Sequence, residues 1–249
     1  MAPPISKSSK SLSLWVETIR FSSAIVVSDY MHQRSLLAMV FVWIQVTVVG
    51  LTFFNRHILI WNFRLIDFVD LVFLGPFFLF MFILMANSME DPIPQKLRIL
   101  SYIFFFLFFE GHSMHMTANA IDTFAFEVHD YAIPSDLRAL IHFLDEILGH
   151  ALFFMGLFGL FQLMLKCETP LSYMTNKTEK ALLLSTGFLY GIGLTIAIIE
   201  ATYFIWFYLI YCIVSLLFYF RLPIPFDRPY STVIQIALAT SIFFALLYW

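Results

Sequence analysis

The sequence predicts an all-α polytopic membrane protein with seven transmembrane helices. Three observations carry that prediction. The 249-residue chain is 61% hydrophobic and only 12% charged, whereas a soluble domain carries about 25% charged residues. Its apolar residues fall in runs of roughly 20, the length a helix needs to cross the hydrocarbon core. Between the runs lie segments rich in proline and charge: "EDPIPQK", "KCETPLSYMTNKTEK" and "RLPIPFDRP".

The elements follow in chain order. Residues 1–35 carry charges throughout and read as a tail without a cleavable leader. Within it, "SLWVETIRFSSAIVV" has the composition of a helix lying at the membrane surface. Residues 36–249 form one transmembrane domain. The first span is Leu36–Phe54. The second, Ile66–Asn87, contains Pro76, which is expected to kink it. The third is Leu97–Asp122. The fourth, Leu137–Leu165, contains Gly149, Gly156 and Gly159, which allow close helix approach. The fifth and sixth, Ala181–Ile199 and Tyr203–Phe220, form one apolar stretch of about 40 residues, too long for a single crossing. The turn is expected at Glu200-Ala201-Thr202. Ser231–Trp249 completes the bundle.

Charge orients it. On this count, one face holds 11 Lys and Arg and the other holds 3, namely Arg56, Arg64 and Arg138. The richer face is cytoplasmic by the positive-inside rule, which puts the N-terminus in the cytoplasm and the C-terminus on the outer face. The "NKT" sequon at Asn176 then faces the cytoplasm, where it is not glycosylated. Net charge is −3, so the chain has no basic field for nucleic acid. Cys167 and Cys212 are isolated and fit neither a disulfide framework nor a zinc knuckle.

The polar residues inside the spans point to function, because ionisable groups in lipid are costly. His112, His115, Asn119 and Asp122 recur at i, i+3, i+7 and i+10 on the third span, one face of a helix. His142, Asp145, Glu146 and His150 recur at i, i+3, i+4 and i+8 on the fourth. Antiparallel neighbours would bring both stripes to the same depth in the outer half of the bilayer, leaving the inner half almost free of such groups. Asp67 and Asp70 fall in the outer half of the second span and are expected to pair with Arg64 at the rim. Glu200 is expected at the outer turn. Glu110 falls off the histidine face of its helix.

Histidines and carboxylates on facing helices have the makings of a metal shell. The expected ligands are His112, His115 and His150, with Glu146 or Asp145 completing the set. His142, Asn119 and Asp122 would orient those ligands. The donor set suits one or two transition-metal ions, zinc first, with iron or copper as alternatives.

In architecture the pattern is similar to the ceramidase and adiponectin-receptor class of membrane zinc hydrolases, which resemble it in spans and intramembrane histidines. That class places an HxxxH pair on its last helix, where this chain has no histidine. The HxxxH and HxxHH pair of membrane desaturases is also absent. The residues therefore point to a metal-dependent membrane hydrolase of a lipid or other apolar substrate, with Asp145 or Glu146 as base. The alternatives are a non-haem iron or copper oxidoreductase, a proton or metal transporter, and an accessory subunit held by membrane-protein partners.

Overall fold

The computed structural model describes residues 32–55, 57–60, 63–89, 93–129, 131, 134–171, 175–201, 204–219 and 224–248, with backbone alone at 52, 53, 63, 126–128 and 200. The expected surface helix in the tail and the Glu200 side chain lie outside these descriptions.

Among the described residues the regular structure is helical apart from one pair of two-residue strands. In order the chain forms α1 (Gln33–Phe54), β1 (Leu59–Ile60), β2 (Phe63–Arg64), α2 (Leu65–Asn87), α3 (Gln95–Asp122), α4 (Ser135–Cys167), α5 (Lys177–Glu200), α6 (Ile205–Tyr219) and α7 (Pro229–Tyr248). Strands β1 and β2 pair antiparallel with Ile60 opposite Phe63. Six described helices, α1–α5 and α7, are long and apolar enough to cross a membrane. Large apolar side chains such as Phe106, Trp206, Leu217 and Phe218 face outward, as a lipid solvent requires. The chain is an integral membrane protein. Helix α6 has 15 described residues, fewer than the roughly 20 of a full crossing.

Helix boundaries follow local chemistry. The fifth run starts at Lys177 instead of Ala181 because Asn176 caps it: the Glu179 amide donates to Asn176 Oδ1 at 2.8 Å, with Glu at the third helical position. The same helix ends at Glu200, and Ala201 leaves the helical region with ψ of 55°. The long apolar stretch therefore breaks where its charge predicts. Helix α1 starts at Gln33, three residues before the expected Leu36, and takes Arg34 and Ser35 into a buried position.

Three segments widen into π-helix: Asp70–Leu74 in α2, Thr123–Val128 after α3 and Phe143–Gly149 in α4. The first lies just upstream of Pro76, which has no N–H to offer the carbonyl one turn back. The backbone adjusts there as one wide turn.

The two most extensive helix pairs are α5 with α7 and α3 with α4. Leu160, Leu183, Ile198, Cys212 and Leu238 lie fully buried in the common core. Glycine brings α3 and α4 to backbone contact. A Cβ at Gly111 would overlap the backbone of Phe153, and one at Gly156 would overlap that of Phe108. A Cβ at Gly149 would sit 3.1 Å from the His115 amide nitrogen, so this seam also sets how close His115 comes to α4.

Candidate histidine–carboxylate centre

Three spans supply the centre. Helix α3 contributes His112, His115 and Asn119, α4 contributes Asp145, Glu146 and His150, and the start of α2 contributes Asp67 and Asp70. His115 meets Asp145 directly, Nδ1 to Oδ1. Its Nε2 lies 3.3 Å from Asn119 Nδ2. The carboxylate can only accept, so Nδ1 carries the proton and Nε2 accepts from the amide. The His115 and His150 rings are 4.5 Å apart, centroid to centroid. His150 Nδ1 donates to the Glu146 carbonyl oxygen at 3.2 Å, with Glu146 Oε2 at 3.7 Å. Its Nε2 therefore keeps a lone pair. His112 Nε2 donates to the Asp70 carbonyl oxygen at 3.4 Å, with Asp70 Oδ2 at 3.7 Å, and its ring stacks on Phe108.

Asp67 and Asp70 lie close to this centre as well as to the Arg64 end of their span. Asp67 is 6% exposed. It lies within electrostatic reach of His115, Asp70 and Asp145 as well as Arg64, and its Oδ2 is buried without a hydrogen-bond partner among the described residues. The wide turn at Asp70–Leu74 starts at one of these acids, and the turn at Phe143–Gly149 contains Asp145 and Glu146. Widened turns of this kind recur at functional sites.

The remaining expected residues are placed differently. His142 is exposed. A 3.6-residue period puts it on the face of Glu146 and His150, but the π turn between them carries i→i+5 bonds and changes that register. Asp122 is half-buried, and no contact joins it to the histidines among the described residues. Glu110 is exposed on the other side of α3, as its position off the histidine face predicts. Among the described residues no three His, Cys, Asp or Glu donors surround one point as a ready metal shell. The fit to a metal is one of donor type. Each of the three histidines gives one ring N–H to a carbonyl or carboxylate, the support that metal-ligating histidines use.

No protein-family model matches the chain, and no curated protein or solved structure matches it either.

A second polar cluster, which sequence reasoning missed, sits at the opposite end of the bundle. Arg34 is 1% exposed. Its Nε donates to the Ser88 carbonyl at 3.0 Å and its Nη1 to the Thr169 carbonyl at 2.8 Å. Glu168, 2% exposed, accepts from the backbone amides of Tyr230 at 3.0 Å and Ser231 at 2.6 Å. It thereby caps α7. Ser88 Oγ and Tyr230 OH are 2.6 Å apart. Glu179, 1% exposed, takes a longer bond from the His32 amide at 3.4 Å. Burial pushes the Glu168 carboxyl up to about 7, against its bonds to Ser231 and Tyr230 and the nearby Arg34 charge. Arg34, Glu168 and Glu179 all lie at or just beyond the ends of spans. The available signal was that Arg34 and Glu168 lie within three residues of apolar runs.

Proposed function

We propose that this chain is a seven-span membrane enzyme whose histidine–carboxylate centre hydrolyses a lipid ester or amide, or a similar apolar substrate, with the help of a bound transition metal. One observation carries this reading: seven ionisable side chains, Asp67, Asp70, His112, His115, Asp145, Glu146 and His150, converge from three spans where lipid makes each of them costly. The distribution of Lys and Arg supports an N-terminus in the cytoplasm and a centre in the outer half of the bilayer.

The residues divide the work. Asp145 holds the His115 proton at Nδ1 and fixes the orientation of that ring. The Glu146 backbone does the same for His150 and leaves its Nε2 lone pair unused by that bond. His115, His150 and the Glu146 or Asp145 carboxylate are the groups that would hold an ion, zinc first. Such an ion would supply Lewis acidity toward the acyl group. A carboxylate of the pair Asp145 and Glu146 would take the proton of the attacking water as its hydroxyl adds to the acyl carbon, and would return that proton to the leaving oxygen or nitrogen as the acyl bond breaks. The apolar surround excludes bulk water and admits substrate sideways from lipid.

Metal analysis of the purified full chain tests this. About one equivalent of a transition metal is expected, and less than about 0.3 equivalents would count heavily against the reading. His150→Ala is expected to lose the metal while the thermal midpoint in detergent stays close to that of the parent. A proton relay is the second reading, favoured by the direct His115–Asp145 contact and by Asn119 on the other ring nitrogen. It calls for proton flux in liposomes that survives chelation.

A further inference from the structure

We propose that the lipid-facing side of α3 docks a spanning helix of a different membrane protein, one that carries a basic side chain at the depth of Glu110. Helix α3 packs against α4 through Phe108, Gly111, His112 and Met116. Its other side presents Phe106, Glu110, Ser113 and Thr117, all exposed and spaced i, i+4, i+7 and i+11, so that they form one face. Glu110 is the central residue of the apolar span Gln95–Ala125. It therefore lies near the middle of the hydrocarbon core, where an open carboxylate is most costly. Among the described residues no side chain pairs with it.

Charge complementarity selects the occupant. The described Lys and Arg residues lie at the ends of spans or beyond them: Arg34, Lys96, Arg98, Lys166, Lys177, Lys180 and Arg228 at one end, Arg64 and Arg138 at the other. A second copy in the same orientation would set an acid against the Glu110 face and bring no base to that depth. A foreign helix with one central Lys or Arg neutralises Glu110, and the Ser113 and Thr117 hydroxyls add hydrogen bonds that water does not contest. The flanking Phe106, Ile103 and Ile99 then pack against apolar residues of that helix.

The full chain, donor-labelled in phosphatidylcholine liposomes, tests this against quencher-labelled polyleucine spanning peptides with a central Lys or a central Leu. The Lys peptide is expected to associate about tenfold more tightly than the Leu peptide, a preference that Glu110→Gln abolishes. Glu110→Lys is expected to transfer the preference to a peptide with a central Glu. An unchanged thermal midpoint in both variants shows that the fold is intact. Equal association of the Lys and Leu peptides, no effect of Glu110→Gln, or self-association of the chain through this face would overturn the proposal.

Discussion

The two ends of this bundle bury charge in opposite ways. At the arginine end, each buried ion meets backbone. Arg34 donates to two carbonyls at the ends of α2 and α4, and Glu168 accepts from two amides that open α7. Unpaired helix-terminal groups are satisfied by a charge of the right sign, so the cluster fastens helix ends together. At the histidine end, four acids face three histidines, and one carboxylate oxygen of Asp67 is buried without a hydrogen-bond partner among the described residues. Its principal contact joins two side chains, His115 and Asp145. Crowded like charges do not optimise a fold; they are tolerated where chemistry needs them. One end fastens helix ends together, and under the proposed function the other is the site.

The largest expected effect tests that division. Arg34→Ala leaves Glu168 buried without its nearby cation and two carbonyls without a donor, a loss of about 3–5 kcal/mol. Asp67→Asn removes one of four crowded acids and is expected to leave stability unchanged or raise it by about 1 kcal/mol while lowering activity. Thermal unfolding in detergent measures both. Equal destabilisation by the two substitutions would erase the distinction between the ends.

Much of the fold could be read from the sequence because apolar length and helical period determine it. The break at Glu200 and Ala201, the glycine seam of α4 and the off-face position of Glu110 all follow from those two rules. The site was legible only where the 3.6-residue period holds, as it does for His112, His115 and Asn119. A widened turn leaves no trace in residue spacing, so His142 was grouped with Glu146 and His150. Sequence spacing pairs Asp67 and Asp70 with Arg64, a contact that Asp67 keeps, but it does not show that packing also brings both acids near the histidines of α3. The arginine end was missed for a different reason. Charges bordering a span are ordinarily hydrated, and the partners of Arg34 and Glu168 are backbone atoms that only tertiary packing brings near.

Acidity sharpens the comparison next. Burial raises the Glu168 carboxyl from 4.5 to about 7, so the folded state favours the protonated form. The stability this contributes is full below about pH 4.5 and is lost as pH rises through about 7, on the order of 3 kcal/mol. Glu168→Gln keeps an acceptor for the α7 amides without a charge and is expected to flatten that slope in a pH series of thermal midpoints. The cost of Arg34→Ala should also be greater at pH 8 than at pH 5, because only an ionised Glu168 needs the cation. A slope unchanged by Glu168→Gln would show that the fastening titrates through another group.

A smaller effect is expected at the α3–α4 seam. Gly111→Ala places a methyl group against the Phe153 backbone, and overpacking of this kind costs about 1–3 kcal/mol. Because the same seam sets His115 against α4, the variant is also expected to lose metal. Its metal content should therefore fall further than that of Arg34→Ala when both are compared at equal folded fraction.

The smallest effect belongs to His142. Helical spacing alone gives it the same rank as His150, and on that basis His142→Ala should impair the centre as His150→Ala does. The π turn over Phe143–Gly149 lies between them, and the two histidines end in different environments: His142 is exposed, whereas His150 is 8% exposed with its ring 4.5 Å from that of His115, centroid to centroid. Substituting an exposed side chain usually shifts stability by about 0.5 kcal/mol or less. His142→Ala is therefore expected to keep both metal and thermal midpoint near those of the parent, while His150→Ala loses the metal. If both variants lost metal equally, the α-helical register would hold through α4 in the working protein, and the wide turn would have to tighten when the centre is filled.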